Sequence, residues 1–230
     1  MPESFLRRVA LFDCLGDDEL TALDKLAFRR SFAKDQLIIL AEDQGDTLFV
    51  IEKGEVKVNL IHSDGKEFIL SLLGEGEVFG ELSLLDDQPR SANVTAVEDT
   101  VLAMIRRADF LQLMTNIPQI AISLLEELAS RLRRTDDQVG GLALLNVHNR
   151  ISKTILHLAD IRGAETEEGI LISERPTHQQ LANMSGTTRE TVTRVLKQLE
   201  EDGYIISRGR QLLVLPTEDT DRYGDIGGMT

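Results

Sequence analysis

Between residues 76 and 94 the chain reads GEVFGELSLLDDQPRSANV. Apolar runs bracket a turn, and that turn carries a carboxylate, Glu81, and a guanidinium, Arg90. A polar group buried without a partner costs on the order of a few kcal/mol. Glu81 and Arg90 must therefore meet each other as an ion pair, meet water, or meet a ligand that arrives.

Outward from this turn, the runs TLFVI (47–51), EVKVNLI (55–61), EFILSLL (67–73) and TVLAMI (100–105) are rich in aliphatic and β-branched residues. Gly54, Asp64-Gly65, Gly74, Gly76 and Gly80 punctuate them at roughly ten-residue intervals, which predicts a small antiparallel barrel or jelly roll over residues 1–116. Its clearest hairpin turns at Asp64-Gly65.

After Pro118 the period changes. Leu125, Leu128, Leu132, Thr135, Val139 and Leu142 follow the alternating three-and-four spacing of a coiled-coil seam. Two copies of the chain would zip together there; the alternative is a helix packed on its own domain. Residues 117–146 are thus expected to form a long dimerisation helix ending near Asn146, a cap for the helix that follows. The segment Leu145 to His148 is the hinge candidate. RGAETEEG (162–169) reads as a polar loop, and the acidic segment 217–230 as a mobile tail.

Residues 147–216 carry two successive helix starts. Thr177 with Gln180 makes one capping box and Thr187 with Glu190 another, with Gly186 allowing a sharp turn between them. Val192, Val195, Leu196 and Leu199 form the buried stripe of the second helix, which Gly203 ends. Thr188, Arg189, Glu190, Thr193, Arg194 and Lys197 are left on the opposite side, with Thr177, His178 and Gln179 at the start of the first helix. Arginine reads guanine O6 and N7 through paired hydrogen bonds, and glutamate accepts from cytosine N4, so this face suits a major groove. Arg208 and Arg210 flank Gly209 at the tip of a hairpin wing, placed to meet phosphate.

The formal charge of -14 argues against non-specific polyanion binding by the whole molecule. It does not forbid a local basic face, because residues 150–216 carry nine Lys or Arg against nine acids. The single cysteine, Cys14, excludes an internal disulfide and, alone, a structural zinc or iron–sulfur centre. His62, His148, His157 and His178 show no metal-ligand spacing, no phosphate-cradling GxxxxGKS occurs, and no nucleophile–base set stands out. No metal and no enzymatic activity are expected. No signal sequence or stretch of roughly 18 apolar residues is present, so a cytoplasmic protein with no membrane partner is expected.

Taken together, FGELSLLDDQPRSA (79–92), RLRRTDDQVGGLALLNV (131–147) and TRETVTRVLKQLEEDG (188–203) resemble the cAMP receptor protein/FNR superfamily of bacterial transcription regulators. The likeness runs from Leu11 to Pro216. It implies an α+β chain: a cyclic-nucleotide-binding barrel or jelly roll, a dimerisation helix and a C-terminal winged helix-turn-helix. The first motif is similar to the family's phosphate-binding cassette. By that likeness Gly80, Glu81, Leu82, Ser83, Arg90, Ser91 and Ala92 line a nucleotide site, Glu81 taking the ribose 2′-hydroxyl and Arg90 and Ser91 the phosphate. Arg131, Thr135 and Asp136 on the long helix complete it.

Thr135 matches the family threonine that meets the purine, whereas Asp136 stands where serine is common. The likeness favours cAMP and leaves cGMP and cyclic di-GMP open. Two glycines usual in the barrel turns appear as Asp35 and Glu42. The implied partners are a second copy of the chain, a two-fold symmetric double-stranded DNA operator and RNA polymerase. The first alternative keeps the DNA module and drops the small molecule, a regulator active without ligand or controlled by a partner protein; an adaptor that binds cyclic nucleotide but not DNA is the rival from another class.

Overall fold

A computed structural model describes residues 4–216; the acidic tail expected to be mobile lies outside the described residues. Contacts divide the chain into two compact units, one ending at Asp137 and one starting at Gln138.

In the first unit, two short 3-10 turns, Phe5–Arg8 and Ala10–Phe12, lead into helix α1 (Asp17–Leu26). Strands β1 (Phe28–Phe32), β2 (Leu37–Ile39), β3 (Thr47–Lys53), β4 (Val56–Ile61), β5 (Glu67–Leu73) and β6 (Val78–Phe79) follow. Helix α2 (Leu82–Asp86) interrupts the series before β7 (Asn93–Ala96) and β8 (Thr100–Arg106). The strands form two four-stranded antiparallel sheets, ordered β1-β8-β3-β6 and β2-β7-β4-β5. The architecture is a two-sheet jelly roll rather than a closed barrel.

Why β3 is buried at four consecutive positions follows from its neighbours. Phe49 and Ile51 point between the sheets, where they join Phe32, Val56, Leu73, Phe79, Val94 and Leu102. Leu48 and Val50 take the other face, packing with Leu6, Phe12, Leu23, Phe110 and Ile120. Period-two side chains with both faces covered leave no polar alternation to read. Asp35 and Glu42, standing at expected glycines, adopt left-handed backbone with φ of 64° and 72°, a conformation glycine enters without penalty.

Helix α3 (Arg107–Asn116) leads to the long helix α4 (Pro118–Leu144). Ile120 and Leu124 are buried in the first unit's core, and Leu128 packs against it. At that position the seam therefore packs on its own domain. Further along, Leu132 and Val139 are 62% and 59% exposed, and Leu142 is exposed too, in the spacing predicted for a helix pair.

The second unit contains helix α5 (Val147–Arg162), strands β9 (Ala164–Thr166) and β10 (Gly169–Ile172), helices α6 (His178–Ser185) and α7 (Arg189–Glu201), and strands β11 (Ile205–Arg208) and β12 (Gln211–Val214). Asn146 caps α5 as predicted, its side chain accepting from the Asn149 N–H. The segment expected to be a polar loop is instead a short hairpin. β9 pairs β10, extending the wing to a four-stranded sheet of order β11-β12-β10-β9. All three β9 side chains are exposed, so the strand is specified by backbone pairing and by the Thr166 hydroxyl, which donates to the Gly169 carbonyl at 2.7 Å, rather than by apolar packing.

The predicted stripe of α7 is buried against Ile151, Ile155, Leu158, Leu181 and Ala182. Gly186, at φ 60°, makes the turn between α6 and α7. The Thr177–Gln180 capping box forms as predicted. The second box does not: Thr188, not Thr187, caps α7, accepting from the Thr191 N–H. Thr187 belongs to the preceding turn, where its N–H bonds the Ala182 carbonyl.

Candidate functional site

Glu81 and Arg90 are 4% and 7% exposed, so both charges are buried and need partners. They make no ion pair with each other. The Arg90 guanidinium donates to the Gly80 carbonyl at 2.6 Å and to the Thr47 carbonyl at 2.9 Å, and lies 5.6 Å from the centre of the Phe49 ring. Its backbone is pinned to the 42–43 loop, the N–H bonding the Asp43 carbonyl and the carbonyl accepting from the Glu42 N–H. Burial lowers the Arg90 pKa from its ordinary value, and the nearby charges of Asp46 and Glu81 oppose that shift.

Glu81 finds its counter-charge 50 residues away, on α4. Arg131 donates to Glu81 Oε1 at 2.9 Å, to the Val78 carbonyl at 2.6 Å and to Glu127 at 2.8 Å. A buried ion pair stands only when the remaining donors and acceptors are satisfied as well, and here one guanidinium fork serves two carboxylates and a carbonyl. The Glu81 carboxylate is thereby joined to the long helix.

The cassette is built around α2. The Leu84 and Leu85 N–H groups bond the Glu81 carbonyl, leaving the amides of Leu82 and Ser83 without partners inside the helix, as at any helix start. Such amides favour an anion. Gly80, at φ 82°, turns the chain into this helix. Ser83 and Ala92 are buried, whereas Leu82 and Ser91 reach the surface or its edge. Thr135 and Asp136 are exposed on α4, and the Thr135 hydroxyl donates to the Arg131 carbonyl one turn back.

Four contributors were not singled out from sequence: Gly45, Thr47, Phe49 and Glu127. Three lie on or beside β3 and act through backbone or ring, which leaves no signature in a motif. Gly45 packs flat against the guanidinium, since a Cβ built there would sit 2.0 Å from Arg90 Nε.

In the second unit Thr188, Arg189, Glu190, Thr193, Arg194 and Lys197 are all exposed on or beside one helix, α7. Thr177 caps α6, Gln179 bonds Asn183, and the His178 ring shares a 2.8 Å hydrogen bond with the Thr193 hydroxyl. His178 is held below its ordinary pKa by burial and by the charges of Arg175 and Arg189. The Glu190 carboxylate is lowered by its own backbone N–H and by the Thr188 hydroxyl. At the wing, Arg208 pairs with Glu168 at 3.3 Å and Arg210 with Glu174 at 3.7 Å.

Among the described residues no group of three or more His, Cys, Asp or Glu is placed to hold a metal ion, and no helix is long and apolar enough to cross a membrane.

Comparison with known proteins matches these two assemblies separately. Residues 29–116 match the family model of the cyclic nucleotide-binding domain, and residues 149–219 that of the Crp-like helix-turn-helix domain. The chain is 36% identical over 195 residues to the cyclic AMP receptor protein of Thermus thermophilus, covering 85% of this chain and 87% of that one. It is 38% identical over 207 residues to the cAMP-activated global transcriptional regulator Vfr of Pseudomonas aeruginosa, covering 86% and 96%. Among solved structures, the c-di-GMP responsive global regulator CLP of Xanthomonas campestris aligns with a TM-score of 0.73 at 26% identity, covering 86% of this chain and 98% of that one. With a jelly-roll cassette in one unit, a helix-turn-helix in the other, and relatives of this identity and coverage, the chain belongs to the CRP/FNR family of cyclic-nucleotide-binding transcription regulators.

Proposed function

We propose that this protein is a homodimeric regulator whose binding to a two-fold symmetric DNA operator is gated by cAMP. The observation that carries the reading is the buried pair of unlike charges in the cassette. Arg90 is held by carbonyls, with Asp46 and Glu81 near enough to favour its charge. Glu81 is bonded to Arg131 of α4. A cyclic phosphate takes charge-assisted hydrogen bonds from Arg90, with the amides of Leu82 and Ser83 and the Ser91 hydroxyl alongside. A ribose hydroxyl donates to Glu81, the same carboxylate that α4 holds. Ligand at Glu81 thus bears directly on the long helix, with Thr135 and Asp136 one turn further on as base contacts.

The exposed seam through Leu132, Val139 and Leu142 pairs with a second copy. A dimer then presents two α7 helices to successive major grooves, which succeeds only when their separation fits the half-sites. Nucleotide acts by preferring the competent arrangement, and its leverage equals its differential affinity for the two states. Arg189, Glu190 and Arg194 read bases, and Arg208 and Arg210 meet phosphate.

The names of the Thermus and Pseudomonas relatives favour cAMP. The Xanthomonas neighbour favours cyclic di-GMP as the second reading; the Asp136 carboxylate can accept from adenine N6 or from guanine N1 and N2 and so suits either base. The test is calorimetric titration of wild type and Arg90→Leu with cAMP, cGMP and cyclic di-GMP, paired with selection of a DNA site from a random pool. Binding of cAMP by wild type alone, with a DNA shift that it strengthens, is expected. A preference for another nucleotide replaces the ligand, and a protein that binds nucleotide but no DNA at any salt concentration is the adaptor instead.

A further inference from the structure

Arg150 lies in the first turn of α5, outside the motifs assigned to nucleotide or DNA, yet each of its three guanidinium nitrogens donates a hydrogen bond. Nη1 donates to the Leu145 carbonyl at 3.0 Å, Nε to the Ser185 carbonyl at 2.9 Å and Nη2 to the Gly186 carbonyl at 3.3 Å. Leu145 closes the end of α4, its N–H bonding the Gly141 carbonyl. Ser185 and Gly186 close the end of α6 and form the turn that aims α7. Carbonyls at helix C-termini have no partner within the helix and carry the negative end of its dipole. One planar cation satisfies three of them on two different helices.

Neighbouring contacts reinforce the tie. The Thr154 hydroxyl bonds the Arg150 carbonyl and the buried Ser185 hydroxyl, each at 2.9 Å. Val147 packs against the core that contains Leu181, Ala182 and Val192.

We propose that Arg150 is a positioning residue that locks the end of the long helix to the turn of the helix-turn-helix, so that the two move as one body. A rotation of the C-terminal part of α4 then reaches α7 without loss. On this account the articulation between nucleotide and DNA units lies before Leu145, not within Leu145–His148. The proposal rests on the nucleotide-gated reading for its regulatory consequence, but not for the lock itself. Lysine does not substitute, because it carries a point charge on a flexible stem where the site needs three donors in a planar fork.

The experiment compares full-length wild type, Arg150→Gln and Arg150→Lys. Calorimetry measures cAMP affinity, DNA binding is measured with and without saturating cAMP, and hydrogen exchange is followed at residues 144–148 and 185–188. In both variants cAMP affinity stays at the wild-type value. The ratio of DNA affinities with and without cAMP falls from the roughly 5- to 150-fold range of allosteric couplings to about 1. Exchange protection drops at both segments together.

A loss of DNA affinity that is equal with and without cAMP, leaving the ratio intact, overturns the proposal and marks Arg150 as structural only. So does a lysine variant with the wild-type ratio, or loss of protection at one segment alone. If cAMP does not alter wild-type DNA binding, the nucleotide-gated reading falls, while the paired exchange at the two segments still judges the lock by itself.

Discussion

Replacing Gly45 with Ala is a one-carbon test of how Arg90 is presented to a ligand. Gly45 needs no left-handed backbone, so a methyl group there would ordinarily be neutral or slightly stabilising. Here the new Cβ would lie 2.0 Å from Arg90 Nε, 2.2 Å from Cζ and 2.6 Å from Nη2, and the guanidinium must leave. It gives up the bonds to the Gly80 and Thr47 carbonyls. Hydrogen bonds to a charged group contribute about 1.5–3 kcal/mol each, and the side chain regains part of that from water. A net stability loss of about 1–3 kcal/mol is expected. On the proposed reading the displaced charge also no longer meets the cyclic phosphate, and cAMP binding is expected to weaken by about 1.5–3 kcal/mol, roughly 10- to 150-fold in Kd. Isothermal calorimetry measures the affinity and a thermal melt checks the fold. Because the effect runs through Arg90, the same substitution in an Arg90→Leu background should change affinity little, the non-additivity that a double-mutant cycle detects. Wild-type affinity in Gly45→Ala, or an equal further loss in the Arg90→Leu background, would refute the reasoning.

Leu132→Asp puts a charge on the exposed seam of α4, where each protomer of a symmetric pair would bury a leucine worth about 1.5–3 kcal/mol. Light scattering is expected to show a 25.6 kDa monomer, and a persistent dimer would move the interface elsewhere. Arg189→Ala is expected to lose about 1–3 kcal/mol on the selected DNA site and to relax preference at one base pair. A uniform loss over all sequences would make it a phosphate contact. His178 sits below its ordinary pKa of 6.5 when folded, so the unfolded chain takes up the proton first as pH falls. The stability that the neutral ring contributes is complete above that ordinary value and is lost as pH drops through the folded one. Urea unfolding between about pH 7.5 and 5.5 should therefore weaken wild type more than His178→Gln; equal losses would count against this assignment.

Local rules made much of the second unit legible. Thr177 and Gln180 meet because a capping box needs only residues three apart, and Gly186 turns because the left-handed backbone there favours glycine. The adjacent threonines defeated the same rule. Either hydroxyl suits a cap, and what chose Thr188 was the bond from the Thr187 N–H back to Ala182, which belongs to the previous helix. The β9 hairpin was hidden for a different reason: three exposed residues carry no apolar alternation.

Around Glu81 and Arg90, the presence of buried charge was readable but its partners were not. Arg90 leans on backbone carbonyls, which every residue has, and Glu81 depends on a side chain brought in from α4. The resemblance placed Arg131 near the ligand. The three bonds of its guanidinium fork emerge only from the packed unit.

The carboxylates that face the two wing arginines bear on how the regulator searches a chromosome. Glu168 and Glu174 stand 3.3 and 3.7 Å from Arg208 and Arg210 in exposed ion pairs, so a phosphate that meets either arginine competes with a carboxylate already beside it. A body carrying a formal charge of -14 adds repulsion at every random landing. On the proposed reading, such a molecule is expected to adhere weakly to arbitrary duplex, leaving its residence on DNA to the bases that α7 would recognise rather than to indiscriminate stickiness.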